Sequence, residues 1–364
     1  MLHSYYDTMV KRLCGAIRVL YSLEQLMKKF QCSLTFYSVL HFLVDLSCAW
    51  LMLHRISDAD QWYTALFFYN FFAFALQMPL GILTDFLKRD SWFAALGCFL
   101  TSLSLLPMQP APAAVLLAGC GNALFHIGGG TIILKSQKET CTASGIFVST
   151  GALGLFIGGN VLSGTPAISI LLMILLLLPL PGLMHSHNEL CGNLPQTTRT
   201  DDFCPFPALV CLFLVVGLRS YQGMILSFPW NTSLFTGSLM ISAVALGKSL
   251  GGICADRFGT IRPSFLSLLA AACLFLFPSN IVTGIAAVLF FNMTMPITLT
   301  ALYRLMPKHP GFSFGLLTFA LFLGFLPVYL GIIPSRSSPV LYTLLSLISM
   351  LLLGVGLKGG DSSF

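Results

Sequence analysis

The sequence predicts an all-α polytopic membrane protein of about 12 transmembrane helices, in two pseudo-symmetric six-helix bundles. Three observations carry this. Hydrophobic residues make up 56% of the 364 residues, charged residues 9%, and mean hydropathy is +0.86. A soluble domain carries about 25% charged residues, so this chain cannot cover a water-facing surface. A phrase recurs at half the chain's length: Gly81-Ile82-Leu83-Thr84-Asp85 and Gly252-Ile253-Cys254-Ala255-Asp256, 252 − 81 = 171 residues apart. Basic residues, finally, gather at one set of span ends, among them Lys88, Arg89, Arg257 and Arg262 just after the two copies.

Backbone groups in lipid must be satisfied internally, which leaves helices or a closed barrel. The apolar stretches mostly run about 18–24 residues without period-2 alternation, which selects helices. They lie near 33–53, 61–84, 92–108, 111–134, 141–163, 166–184, 206–228, 233–254, 263–278, 280–300, 311–333 and 338–357. The third and ninth are short. Pro107, Pro110, Pro112, Pro166, Pro229, Pro278, Pro307, Pro310 and Pro334 mark most joins. The bundles are then 33–184 and 206–357, joined by a linker at 185–205 and flanked by segments 1–32 and 358–364.

With the N-terminus inside, fifteen of the 19 Lys and Arg are cytoplasmic; Arg55 and Arg336 lie outside, and Arg219 and Lys248 within spans. This bias puts both termini in the cytoplasm of a multi-pass cytoplasmic-membrane protein. The net charge of +6 is therefore topology, not a nucleic-acid footprint. Segment 1–32 lacks a continuous apolar core and is no signal peptide; an amphipathic helix on the inner leaflet and a tail both remain open. The eleven cysteines form no Cys-x-x-Cys pair. His185, His187, Cys191 and Cys204 share the linker but fit no zinc spacing, so neither metal nor cofactor is expected.

The repeat extends beyond the phrase. At an offset of 170, Asn122 meets Asn292, Lys138 meets Lys308, Gly145 meets Gly315 and Gly154 meets Gly324; at 171, Gln77 meets Lys248. Gly81 and Gly252 let a neighbouring helix approach, and Asp85 and Asp256 sit where they can cap an element or pair with the adjacent basic residues. Such a cluster forms a latch that closes in one conformation and opens in another.

The phrase resembles the loop signature of the major facilitator superfamily, Gly-x-Leu-x-Asp-Arg-x-Gly-Arg. The second copy keeps Gly252, Asp256, Arg257 and Gly259; the first keeps Gly81 and Asp85 but has Phe86 and Leu87 next. The C-terminal half should therefore hold the stronger side of a cytoplasmic gate. His41-Phe42-Leu43-Val44-Asp45 and Leu124-Phe125-His126 look like segments of that superfamily's fosmidomycin-resistance branch, with Val44 in place of an Asn and Ile127 in place of a Pro. The resemblance covers about residues 33–357 and implies alternating access around a midplane site, with spans one and four beside a central cavity.

Asp45 is the one acidic residue in the middle of a span, about 18 Å from its inner end at helical rise. A charge there costs about 2.5–3.5 kcal/mol on insertion scales, which favours a proton carrier over a packing role. His41 lies four residues before it, on the same face; Asn122 and His126 repeat the spacing in span four. These residues are the expected proton-coupling set: Asp45, His41 and His126. Arg219 cannot be deprotonated, so it must pair with Asp45, face water or bind an anion. Arg219, Asn122, Gln222, Asn292 and Lys248 are the expected substrate contacts. Gly128, Gly129 and Gly130, and Gly151, Gly154, Gly158 and Gly159, are read as packing stripes.

The function expected is a monomeric, proton-coupled secondary transporter exporting a small organic molecule. The alternative is an organic-anion uptake carrier or uniporter on the same scaffold. A membrane acyltransferase is remote: three residues separate His41 from Asp45 where that motif has four, and no Gly-x-Ser-x-Gly, His-Glu-x-x-His or phosphate loop occurs.

Overall fold

The structure is a computed structural model that describes residues 33–58, 61–107, 110–136, 140–185, 206–332 and 338–361. Segment 1–32 and linker residues 186–205 lie outside the described residues, as do Lys138 and Arg336. Among the described residues twelve helices follow one another. The first bundle holds α1 Ser33–Ile56, α2 Trp62–Leu87, α3 Asp90–Ser104, α4 Ala111–Ser136, α5 Cys141–Asn160 and α6 Pro166–Met184. The second holds α7 Phe206–Ile225, α8 Leu234–Phe258, α9 Ile261–Leu274, α10 Ile281–Leu305, α11 Pro310–Tyr329 and α12 Pro339–Lys358.

Ten of these are long and apolar enough to cross a membrane. Helices α3 and α9, 15 and 14 residues long, stop about a turn before the expected ends at 108 and 278. Pro107 and Pro278 explain this, because the residue before a proline is pushed out of the helical region. Conversely, α1 runs past 53 through a π-turn at Met52–Ile56, and a second π-turn at Phe71–Ala75 lies inside α2.

Polarity is inverted relative to a soluble protein. His41, Asp45, Asn122, Arg219 and Gln222 are buried, while Ile174, Leu178, Leu351 and Val355 face outward. An apolar exterior around a polar interior is stable only with lipid as the outer solvent.

Glycine contacts reveal a pseudo-two-fold relation between the halves. A Cβ on Gly81 would strike the carbonyl oxygen of Gly311, and one on Gly252 that of Cys141. Likewise Gly315 meets the carbonyl of Gln77, and Gly145 that of Lys248. Thus α2 packs on α11 as α8 packs on α5, and these two pairs join the bundles. Inside the bundles Gly154 meets the Phe42 carbonyl and Gly324 that of Gly217. The offset there is 217 − 42 = 175, which sets Asp45 opposite Ser220, next to Arg219.

Candidate functional site

Three arrangements lie at or beside the seam. The first is built on α1 and α4, whose i,i+4 pairs face one another. Asp45 accepts a hydrogen bond from Asn122 Nδ2 at 2.9 Å. His41 Nε2 lies 3.2 Å from Asp45 Oδ2, and His126 Nε2 3.6 Å from Oδ1. The His41 ring stacks on Phe147 of α5 at 4.3 Å between centroids. Gly151 closes the cluster from above; a Cβ there would strike Asp45 Oδ2 and His41 Nε2.

Hydrogen-bond bookkeeping fixes the protons. His41 Nδ1 lies 2.7 Å from the Phe147 carbonyl, and His126 Nδ1 2.9 Å from the Asn122 carbonyl. A carbonyl only accepts, so both Nδ1 atoms carry hydrogen. In neutral rings both Nε2 atoms would then present lone pairs, yet they stand 2.8 Å apart. For that contact to be a hydrogen bond, one of the two Nε2 atoms must carry a hydrogen. The cluster is therefore a carboxyl group beside two histidines whose ring nitrogens are close enough to exchange a proton.

Among the described residues these three side chains form a group able to offer three metal-ligand atoms, all within 4.8 Å of one another. Two nitrogens on a tetrahedral ion with bonds of about 2.0–2.1 Å stand about 3.3 Å apart. The 2.8 Å nitrogen separation suits a shared proton better.

The second arrangement surrounds Arg219, 7% exposed. Its Nη1 donates to Thr294 Oγ1 at 3.2 Å, and it borders a small void with Val148, Met295, Phe314 and Thr318. The structure does not join it to Asp45, whose partners are His41, His126 and Asn122. Lys248 reaches across from α8 and donates to the Val148 carbonyl at 3.2 Å. The other expected substrate contacts lie elsewhere. Gln222 donates to Tyr342 O and Ser346 Oγ of α12, Asn292 donates back to Val288 O in α10, and Asn122 belongs to the proton cluster.

The third arrangement closes one face. Asp85 accepts from the backbone N–H groups of Gly311 and Phe312, both at 2.8 Å. Asp256 accepts from those of Cys141 at 2.7 Å and Thr142 at 2.8 Å, and from Thr142 Oγ1 at 2.5 Å. Each carboxylate thus caps the N-terminus of a helix from the other bundle, where free N–H groups and the helix dipole favour negative charge. Neither is paired with the adjacent basic residues: the Arg257 guanidinium lies over the Phe258 ring instead. On the opposite face α5 and α8 part around a cavity of about 700 Å³ bordered by Phe156, Asn160, Ser233 and Met240.

Sequence reasoning missed the groups that complete these arrangements. Phe147 and Thr294 gave no signal, and Gly151 reads only as part of a packing stripe. Cys141 and Thr142 did give one, because an offset of 170 carries them onto Gly311 and Phe312.

No protein-family model and no curated protein sequence matches the chain. Solved structures do. A variant of the E. coli fucose:proton symporter FucP matches with a TM-score of 0.59 at 12% identity, over 93% of this chain and 99% of that one. FucP in its outward conformation, described as a major facilitator superfamily transporter, matches with a TM-score of 0.60 at 12% identity, over 91% and 98%. The chain therefore has the fold of a major facilitator transporter. At that identity the likeness speaks for fold and leaves substrate and branch open.

Proposed function

We propose that this chain is a secondary transporter, not an enzyme, that moves a small molecule across the cytoplasmic membrane by alternating access, driven by protons. The observation that carries this reading is the 2.8 Å approach of His41 Nε2 and His126 Nε2 beside Asp45. A carboxyl group and two histidines in contact in the middle of a span can take up and release a proton there, as coupling requires. It shares helix α5 with the seam between bundles, so a change of protonation bears on the halves' relative position.

The charge bias supports placing both termini, and the Asp85–Asp256 face, in the cytoplasm. The conformation described is then closed inward. In the cycle the bundles, acting in a monomer, rock about the α2–α11 and α5–α8 contacts, the aspartate caps release, and the opposite face closes. We favour export over uptake. Flux in vesicles with and without an imposed pH gradient separates the exporter from a proton-independent anion uniporter, and its direction from a symporter. In proteoliposomes, Asp45→Asn abolishes gradient-driven flux and spares substrate counterflow; full gradient-driven flux in that variant refutes the coupling role.

A further inference from the structure

We propose that the transported molecule is a small organic anion, whose carboxylate head binds between Arg219 and Lys248 and whose body is apolar. The inference rests on the transporter reading above and assigns its substrate class.

The first support is uncompensated charge. Arg219 is buried, and of its five donors one reaches a partner, the Thr294 hydroxyl. Lys248 uses one of three, on the Val148 carbonyl. Among the described residues no carboxylate lies within ion-pair distance of either cation; Asp45 is taken up by the histidines. A bare guanidinium held in a membrane interior is costly and points to a ligand that neutralises it.

The second is convergence. Val148 borders the void at Arg219, and its carbonyl holds Lys248. Arg219 thus borders the void itself and Lys248 approaches it through Val148, and the void lies between the bundles, with Val148 from α5 facing Arg219 from α7 and Phe314 from α11. A ligand at such a seam touches both bundles, so its affinity differs between the rocking states.

The third is the lining. Apart from Arg219 and Thr318, the void is walled by Val, Met, Leu and Phe side chains. Its roughly 40 Å³ admits a head group, while the body fills space that opens as the bundles part. A planar carboxylate suits the guanidinium fork. An inside-negative membrane potential drives such an anion outward and a proton inward, which agrees with export.

The test is equilibrium binding to the purified full-length protein in detergent, which needs neither flux nor a gradient. The probes are isovalerate, benzoate, acetate, inorganic phosphate and the uncharged isostere isovaleramide. Isovalerate and benzoate raise the melting temperature, acetate does so less, and isovaleramide does not. Arg219→Gln weakens isovalerate at least tenfold, and Lys248→Gln weakens it several-fold. Without ligand, Arg219→Met melts no lower than the parent, because it removes an uncompensated cation. The proposal is overturned by equal binding of isovaleramide, by phosphate as the sole responder, by no response to any anion, or by unchanged affinity in Arg219→Gln. Binding as expected with no proton-driven flux refutes the coupling reading alone; proton-driven flux of a neutral substrate refutes this inference alone.

Discussion

The α2–α11 and α5–α8 seams are built alike in backbone and unlike in side chain. In both, a glycine (Gly81, Gly252) lies against a carbonyl at the start of the partner helix, and an aspartate one turn on (Asp85, Asp256) caps that helix. Deeper in, another glycine receives the carbonyl of Gln77 in one seam and of Lys248 in the other. Gln77 turns its amide back onto its own helix, donating to Ala73 O, whereas Lys248 reaches into the opposite bundle. Symmetric backbone contacts let the halves rock. The asymmetric side chains confine Lys248 to one seam and Asp45 to the N-terminal bundle, so in the cycle proposed above proton and substrate do not compete for one site.

The latches themselves are closer in strength than the signature residues imply. Asp256 accepts three hydrogen bonds and Asp85 two. Asp256 is the more exposed, however, and water weakens each of its bonds. Count and burial oppose one another. Arg257 and Gly259 touch neither capped helix end among the contacts described.

The largest effect should come from the close glycines. Gly81→Ala and Gly252→Ala each put a methyl group onto a carbonyl oxygen, an overpacking worth about 1–3 kcal/mol against the closed face. The native Cys141, buried beneath Asp256, reports the result. Its maleimide labelling, followed by peptide mass spectrometry, should accelerate roughly ten- to hundredfold in both variants. Acceleration in one alone would break the symmetry of the two seams.

A smaller effect is expected from the caps. Asp85→Asn and Asp256→Asn should each speed Cys141 labelling by about tenfold or less, with effects that multiply in the double variant, since they share no partner. An Asp256 effect far above that of Asp85 would restore the stronger C-terminal side that the signature suggests.

The smallest concerns the helix ends. Three residues after each aspartate the chain takes positive φ, at Gly259 (φ 80) and at Lys88 (φ 53). Lys88 carries a left-handed conformation that costs a side chain about 1–2 kcal/mol. Lys88→Gly should raise the melting temperature by a few degrees at most, roughly as a 1 kcal/mol gain would. Gly259→Ala should lower it, because extended ψ at positive φ is nearly closed to other residues. A stabilising Gly259→Ala would show that the two ends differ in kind.

These contrasts also mark what the sequence discloses. Helix count, the two bundles and the paired positions were legible because hydropathy and a repeat are properties of the chain alone. The i,i+4 spacing of His41 with Asp45 and of Asn122 with His126 disclosed two faces. That these faces meet depends on α1 and α4 rotating toward each other, which no periodicity encodes. Gln222 shows the converse. It shares a helical face with Arg219 at i,i+3, yet a fraction of a turn sends it to α12 and Arg219 to α10.

Helix α5 touches all three arrangements. Its first residues hold the Asp256 cap, Val148 holds Lys248, and Gly151 lies on the proton cluster. Being a continuous 20-residue helix, it behaves as a lever pivoted where it presses on His41 and Asp45. Ten residues, about 15 Å of rise, separate Gly151 from Cys141. A tilt of about 10° around that pivot swings the tip by about 2.6 Å, nearly the length of the bonds that restrain it. In the cycle proposed above, a stroke that small at the fulcrum frees the far end, and the stiffness of one rod links the cap to the Asp45 cluster.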